Sequence, residues 1–295
     1  MSSIVSPQPS NGLLARHWIR WIPIAISLFA LYVPTFVDLG RSLWTQDDHM
    51  HGPIVLAVVL WIVWQQRSEL LAADTPRFWT GIAGLTFGLA LYVLGRSQDI
   101  VIFEVGSLIV VLGGVLLAMQ GWQTVWRFKF PLLFILFMLP LPGVLVDALT
   151  GPLKQQVSGI AENMLYALGY PIGRTGVILT VGPYQLLVAD ACSGLHSLIS
   201  MSAMGLLYIY LMDHRNLWRN LVLAACLLPI AFAANVVRVS VLVLVTYHFG
   251  DEAGQGFIHG FSGIFLFVVG LLILFVIDAA LGHFRTFART EPRLT

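Results

Sequence analysis

Charge is what this sequence has least of. Only 11% of its 295 residues are Asp, Glu, Lys or Arg, while 58% are hydrophobic and the mean hydropathy is +0.84. Soluble domains carry about 25% charged residues, so the composition excludes a soluble enzyme. The 16 Lys and Arg are scattered in ones and twos around a formal net charge of +1, which leaves no clustered basic patch for nucleic acid. Cysteine is nearly absent as well: Cys192 and Cys226 are too few for a disulfide framework, and each is free to be either packing or something reactive. Internal repeats and low-complexity tracts are missing too.

What the sequence does have is long apolar runs, close to the ~20 residues that cross a ~30 Å hydrocarbon core. They lie at about 18–37, 53–66, 79–95, 101–120, 130–146, 193–212, 217–247 and 260–282. The expected fold is therefore an all-α polytopic membrane protein of about eight transmembrane helices, with residues 1–295 forming one integral-membrane domain. The first run follows Arg16 and Arg20, is about 20 residues long and has no small-residue cleavage site after it, so it reads as an anchored helix. Cytoplasmic loops are enriched in Lys and Arg. With both termini inside, Arg16, Arg20, Arg67, Arg77, Arg127, Lys129, Arg215, Arg219, Arg285, Arg289 and Arg293 are inner, against only Arg41, Arg96, Lys154 and Arg174 outer. The expected location is a membrane, multi-pass, with both termini on the cytoplasmic side.

Three outer segments differ from plain loops: Gly40 to Gly52, Asp147 to Asp190, and His248 to His259. In the second, Leu149, Leu153, Val157, Ile160, Met164, Leu165 and Leu168 fall near helical spacing and predict an interfacial amphipathic helix over 147–168. Residues 176–189 then read as a small β-hairpin turning at Gly182-Pro183 and leading the chain to Cys192.

Cys192 stands in Asp190-Ala-Cys-Ser-Gly-Leu-His196, where an extended segment enters a helix beginning near Ser193. A thiol at a helix N-terminus meets the positive end of the macrodipole, which favours thiolate; the plainer alternative is a small buried residue. Cys226, among Ala and Leu, reads as packing. Arg238 interrupts an apolar run, and a charge there costs ~2.5 kcal/mol or more at a membrane centre, which marks it as functional unless it is a snorkelling anchor. It stands 21 residues after Leu217, about 31 Å along a helix, so it is expected near the outer face, with Asn235 one turn before it. A thiol needs a proton acceptor, and both His259, at the start of the last run, and His196, four residues after Cys192, could serve. Asp190 could orient a base or cap the helix. His49 and His51 beside Asp47 and Asp48 form a weak His-x-His metal signal, and no metal or cofactor is expected. Asp251 and Glu252 read as solvated loop charges.

Taken together, Ala191-Cys-Ser-Gly-Leu195 before a membrane helix, Asn235-x-x-Arg238 in the next, and His259-Gly260 opening the last resemble the exosortase/archaeosortase family of membrane cysteine transpeptidases. The likeness extends over essentially the whole chain, including His51-Gly52 after Trp44. It implies Cys192 as nucleophile, Arg238 as the charge stabilising thiolate or oxyanion, and His259 as acid/base, with Asn235, His196, Asp190 and His51 in support. It also implies a partner: an exported protein with a C-terminal Pro-Glu-Pro motif, a transmembrane helix and a basic tail, cleaved at the periplasmic face in a process linked to exopolysaccharide. Two other classes stay open on the residues alone, a transporter with Arg238 on its path and a non-catalytic envelope or polysaccharide assembly protein.

Overall fold

The computed structural model describes residues 11–45, 50–70, 75–140, 143–187, 194–212, 216–260 and 262–289. The chain is an all-α polytopic membrane protein with one small sheet, and it divides into two compact units, Met1–Pro140 and Leu141–Thr295. Among the described residues, five helices are long and apolar enough to cross a membrane, and shorter apolar helices at Gly52–Gln65, Lys129–Met138 and Leu198–Met212 occupy the other three expected spans.

The first unit runs α1 (Asn11–Arg41), α2 (Gly52–Gln65), the single turn α3 (Arg67–Leu70), the hairpin α4 (Phe78–Ser97) and α5 (Val101–Met119), then α6 (Trp122–Arg127) and α7 (Lys129–Phe134). In lipid there is no hydrophobic drive between helices, so close backbone approach has to hold them. On α4 it comes from Gly81, Gly88 and Gly95, seven residues apart: a Cβ on the first or last would fall on the backbone of Ala118 or Glu104 of α5, and one on Gly88 would lie 2.7 Å from Val111. A buried polar layer then ties in α1. Glu104 accepts from Thr35 Oγ1 at 2.6 Å and Arg96 Nη1 at 2.8 Å, Arg96 also pairs with Asp38, and Tyr32 meets Ser107 at 2.8 Å.

The expected continuous span over 130–146 is corrected. α7 tightens into a 3₁₀ turn at Ile135–Met138, and Leu139 is extended, with φ −72° and ψ 127°. Proline disfavours the α conformation for the residue before it, and Leu139 precedes Pro140. The next helix, α8 (Gly143–Ala167), begins four residues before the expected Asp147. Its buried stripe is Val157, Ala161 and Leu165, while Ile160, Met164 and Leu168 of the expected apolar face are exposed. Val157 and Leu165 of the expected apolar face thus pack into the fold, and the helix keeps an exposed apolar flank beside them.

After α8 come β1 (Ile172–Thr175), β2 (Ile178–Val181) and β3 (Tyr184–Leu187), an antiparallel meander in the order β1-β2-β3. The hairpin at Gly182-Pro183 is present, and β1 is an addition to it: Gly176, at φ +64°, allows a second two-residue turn that the sequence reading passed over. The unit closes with α9 (Gly194–Met212), α10 (Leu217–Phe249), α11 (Asp251–Gly260) and α12 (Ser262–Arg289).

α10 has two buried faces. Val236, Val239 and Val243 pack with Val157, Ala161 and Leu165 of α8 and with Leu179, Val181 and Leu186 of the sheet. Leu223, Leu227, Ile230, Ala231 and Ala234 pack with Met201 and Tyr208 of α9 and with Leu266 and Leu274 of α12, with Cys226 at the edge of that cluster. At one end of this second cluster Asp278 of α12, 5% exposed, accepts from Arg219 Nε at 2.6 Å and from Tyr208 Oη at 2.8 Å, clamping three helices on one carboxylate.

Removing the carboxylate strands Arg219 in a mostly buried setting. Asp278→Leu is expected to destabilise the protein by on the order of 3 kcal/mol, and Arg219→Leu added to it to recover most of that loss, read as thermal midpoints in detergent.

Candidate active site

Arg238 and Asn235 are each 5% exposed, and both are buried in the otherwise apolar α10. With Leu227, Ala231 and Ala234 they follow the i, i+4, i+7, i+8, i+11 pattern of one helix face. That face carries the cluster shared with α9 and α12, so the guanidinium-bearing position belongs to the three-helix side of α10 and not to the sheet side.

The level of Arg238 along the bundle follows from contacts elsewhere. α9 and α10 run antiparallel, and the missing side chain of Gly205 admits Leu227 against the α9 backbone. Eleven residues back from Gly205 is Gly194, the first residue of α9; eleven on from Leu227 is Arg238. At a common rise of ~1.5 Å per residue, the two stand side by side. Between α10 and α12 the Arg219–Asp278 pair sets the register. Sixteen residues from each lead to Asn235 and to Ser262, where α12 begins. α11 supplies a third register: Gly250, at φ +90°, reverses the chain, and Gly254, with no Cβ to meet the Thr246 hydroxyl, lets α11 fold back along α10. Five residues further from each are Val241 and His259, so His259 comes within about one turn of the level of Arg238.

His196 lies in the first turn of α9 and His259 near the end of α11, and for these two the structure describes the helical backbone. Cys192 and Asp190 lie outside the described residues; in the chain they directly precede α9. So do Asp47, Asp48 and His49 in the first unit. His51 occupies the position before α2, and its Nε2–H donates to the Phe137 carbonyl at 3.0 Å. That carbonyl is one of those left without an intrahelical donor where the 3₁₀ turn ends, so the histidine has a structural use in the first unit. The neighbouring Gly52 has the Trp44 indole directly over it, which accounts for the Trp44…His51-Gly52 pattern.

The chemistry available at this level favours an anion. A buried guanidinium favours a negative charge beside it, and the first described residues of α9, Gly194, and of α12, Ser262, share its level. Among the described residues no group of three or more His, Cys, Asp or Glu could hold a metal ion. Sequence reasoning missed the Asp278–Arg219–Tyr208 clamp and the Glu104 layer. Both had a signal: Asp278 is an acid inside an apolar run, and Tyr32, Thr35 and Asp38 recur at helical spacing on α1.

A family model described as transmembrane exosortase (Exosortase_EpsH) matches residues 43–276, a stretch that holds every residue of this level. No curated protein and no solved structure matches the chain.

In the reading proposed below, in which Arg238 stabilises a Cys192 thiolate, Arg238→Gln is expected to slow alkylation of Cys192 several-fold. The check is the labelling rate at Cys192 relative to Cys226 in the same molecule, whose rate should not change.

Proposed function

Because the chain belongs to the transmembrane exosortase family, we propose that it is a membrane-embedded cysteine transpeptidase or protease that cleaves C-terminal sorting signals of exported proteins. Within the family, the motifs around Cys192, Arg238 and His248 resemble exosortase B. What supports the catalytic assignment is the shared level of three chain segments: the start of α9, which follows Cys192; the buried Arg238; and the stretch of α11 holding His259.

In this reading the Cys192 thiolate attacks the carbonyl carbon of the scissile peptide, forming a C–S bond while the electron pair moves to oxygen. Arg238 meets that oxyanion, with Asn235 or the amides opening α9 as further donors. Collapse breaks the C–N bond, and His259 gives its proton to the leaving amine. A second nucleophile, water or an amine, then attacks the thioester, loses its proton to His259 and restores the thiolate. His196 and Asp190 flank the nucleophile in the chain and serve as contacts in the site.

The substrate class is the one the family resemblance implies, and membrane geometry is consistent with it. A signal made of a Pro-Glu-Pro motif, a transmembrane helix and a basic tail leaves its tail on the cytoplasmic side and presents its motif at the opposite boundary. The uneven distribution of Lys and Arg supports a topology with both termini in the cytoplasm and the Arg238 level at the periplasmic boundary of the inner membrane. The link to exopolysaccharide is part of the same family-based reading.

Co-expression with a protein bearing such a signal, followed by mass spectrometry of its new C-terminus, tests the proposal. Cys192→Ala should abolish processing, His259→Ala should lower it by about 10²-fold or more, and Cys226→Ala should leave it intact. Full processing by Cys192→Ala would remove the mechanism.

A further inference from the structure

The two edges of the small sheet are not alike. On β1, Arg174 reaches across to Glu162 of α8 at 3.0 Å and to the Gly176 carbonyl at 3.0 Å, and the Ile172 N–H is spent on Tyr170. A charged side chain on an edge strand is a common guard against pairing with another chain. β3, Tyr184-Gln-Leu-Leu187, has neither charge nor proline within it.

The hydrogen-bond phase of β3 follows from its turn. A two-residue connection makes the flanking residues, Val181 and Tyr184, a hydrogen-bonded pair, and in an antiparallel ladder such pairs alternate with non-bonded ones. Tyr184 and Leu186 therefore direct their N–H and C=O groups to β2, and Gln185 and Leu187 direct theirs away from the sheet. Among the described residues neither makes a further backbone hydrogen bond. Their side chains are exposed, while Leu186 is buried against α10. An open edge cannot face hydrocarbon, since nothing there would satisfy its polar groups, so this strand stands in the aqueous or headgroup layer. Five residues beyond Leu187 the chain reaches Cys192.

We propose that β3 is a docking edge for the substrate: the extended residues preceding the cleaved bond of the exported protein add to the sheet as a fourth strand, hydrogen-bonded to the backbone of Gln185 and Leu187. This rests on the reading of the chain as a peptide-cleaving enzyme and extends it from the reacting atoms to the binding of the peptide. Strand addition takes affinity from main-chain hydrogen bonds and so accepts varied side chains. It also holds the peptide beside the strand that leads to the nucleophile. β1, with its edge occupied by Arg174, is excluded from this role.

The test uses the full-length protein in membranes with a co-expressed substrate. Gln185→Pro deletes the outward N–H and leaves the ladder to β2 intact, whereas Gln185→Ala changes the side chain and keeps the N–H. Processing by the proline variant is expected about fivefold to tenfold below that of the alanine variant, as the loss of one backbone hydrogen bond requires. Equal processing by the two would overturn the proposal. A second readout does not depend on how well the proline variant folds. With Cys192→Ala to retain substrate, p-benzoylphenylalanine in place of Leu187 should cross-link the residues before the cleavage point, and the same probe in place of Arg174 should not. Equal capture at both edges, or none at Leu187, overturns it. A wild-type protein that processes nothing would instead refute the enzymatic reading, while the cross-link still reports on the strand.

Discussion

One carboxylate sets the geometry on which the rest of the second unit depends. Asp278 binds Arg219 and Tyr208 together, so α9, α10 and α12 meet at a single point and cannot slide past one another without breaking a buried ion pair. Packing between apolar helices in lipid is nearly indifferent to small shifts in register, because one Leu or Val contact resembles the next. A charge pair in low dielectric is not indifferent: leaving Arg219 without its partner costs several kcal/mol. The clamp therefore fixes a register that Gly205 against Leu227 and Gly270 against Met201 then maintain along the bundle. What matters at the far end is that three chain segments arrive at one level, and that alignment is decided nearly 30 Å away.

The two faces of α10 divide its work between lipid and water. On one side it packs with helices, and on the other it packs with a sheet that lipid could not accommodate. At 33 residues the helix is about 50 Å long, well beyond the ~30 Å hydrocarbon core, so part of it has to stand clear of the membrane. Val236, Val239 and Val243, which hold the sheet, lie in that part. Arg238 falls among them in sequence but on the other face, where the helix leaves the hydrocarbon.

Helix existence was legible in the sequence because composition alone makes an apolar run of 20 residues a span, and the two helices bearing Arg219, Arg238 and Asp278 begin or end within a few residues of expectation. The failures have local causes. The run at 130–146 is apolar enough to be read as one helix, yet Pro140 acts through Leu139 before it, and hydropathy does not register backbone restriction. For α8, periodicity found the helix and a broad apolar face; Val157 and Leu165 of that face are buried, Ile160, Met164 and Leu168 are not, and only the position of the sheet decides between them. Strand β1 was hidden because Ile172-Gly-Arg-Thr175 lacks β-branched alternation and owes its pairing to Gly176. At the site, Arg238 and Asn235 announced themselves as polar groups in an apolar run. That they lie toward the same end as the start of α9 and His259 was also expected from span lengths; the register that holds them there, set by Asp278, was not legible.

That register also answers why a permanent cation is tolerated inside a membrane helix. Arg219 and Arg238 are nineteen residues apart, about 29 Å along α10, which is close to the thickness of the hydrocarbon core. With the clamp at one boundary, Arg238 is carried to the other, where the cost of a charge is far below its value at the centre. Protein packing, and not depth in lipid, is what buries it. A guanidinium in that position is partly desolvated, so it acts on nearby groups through a medium more polarisable than hydrocarbon but less screening than water. Moving Asp278 by one helical turn would carry Arg238 about 5 Å into the lipid or out into solvent. The clamp and the site are thus a single device, spaced by the membrane they cross.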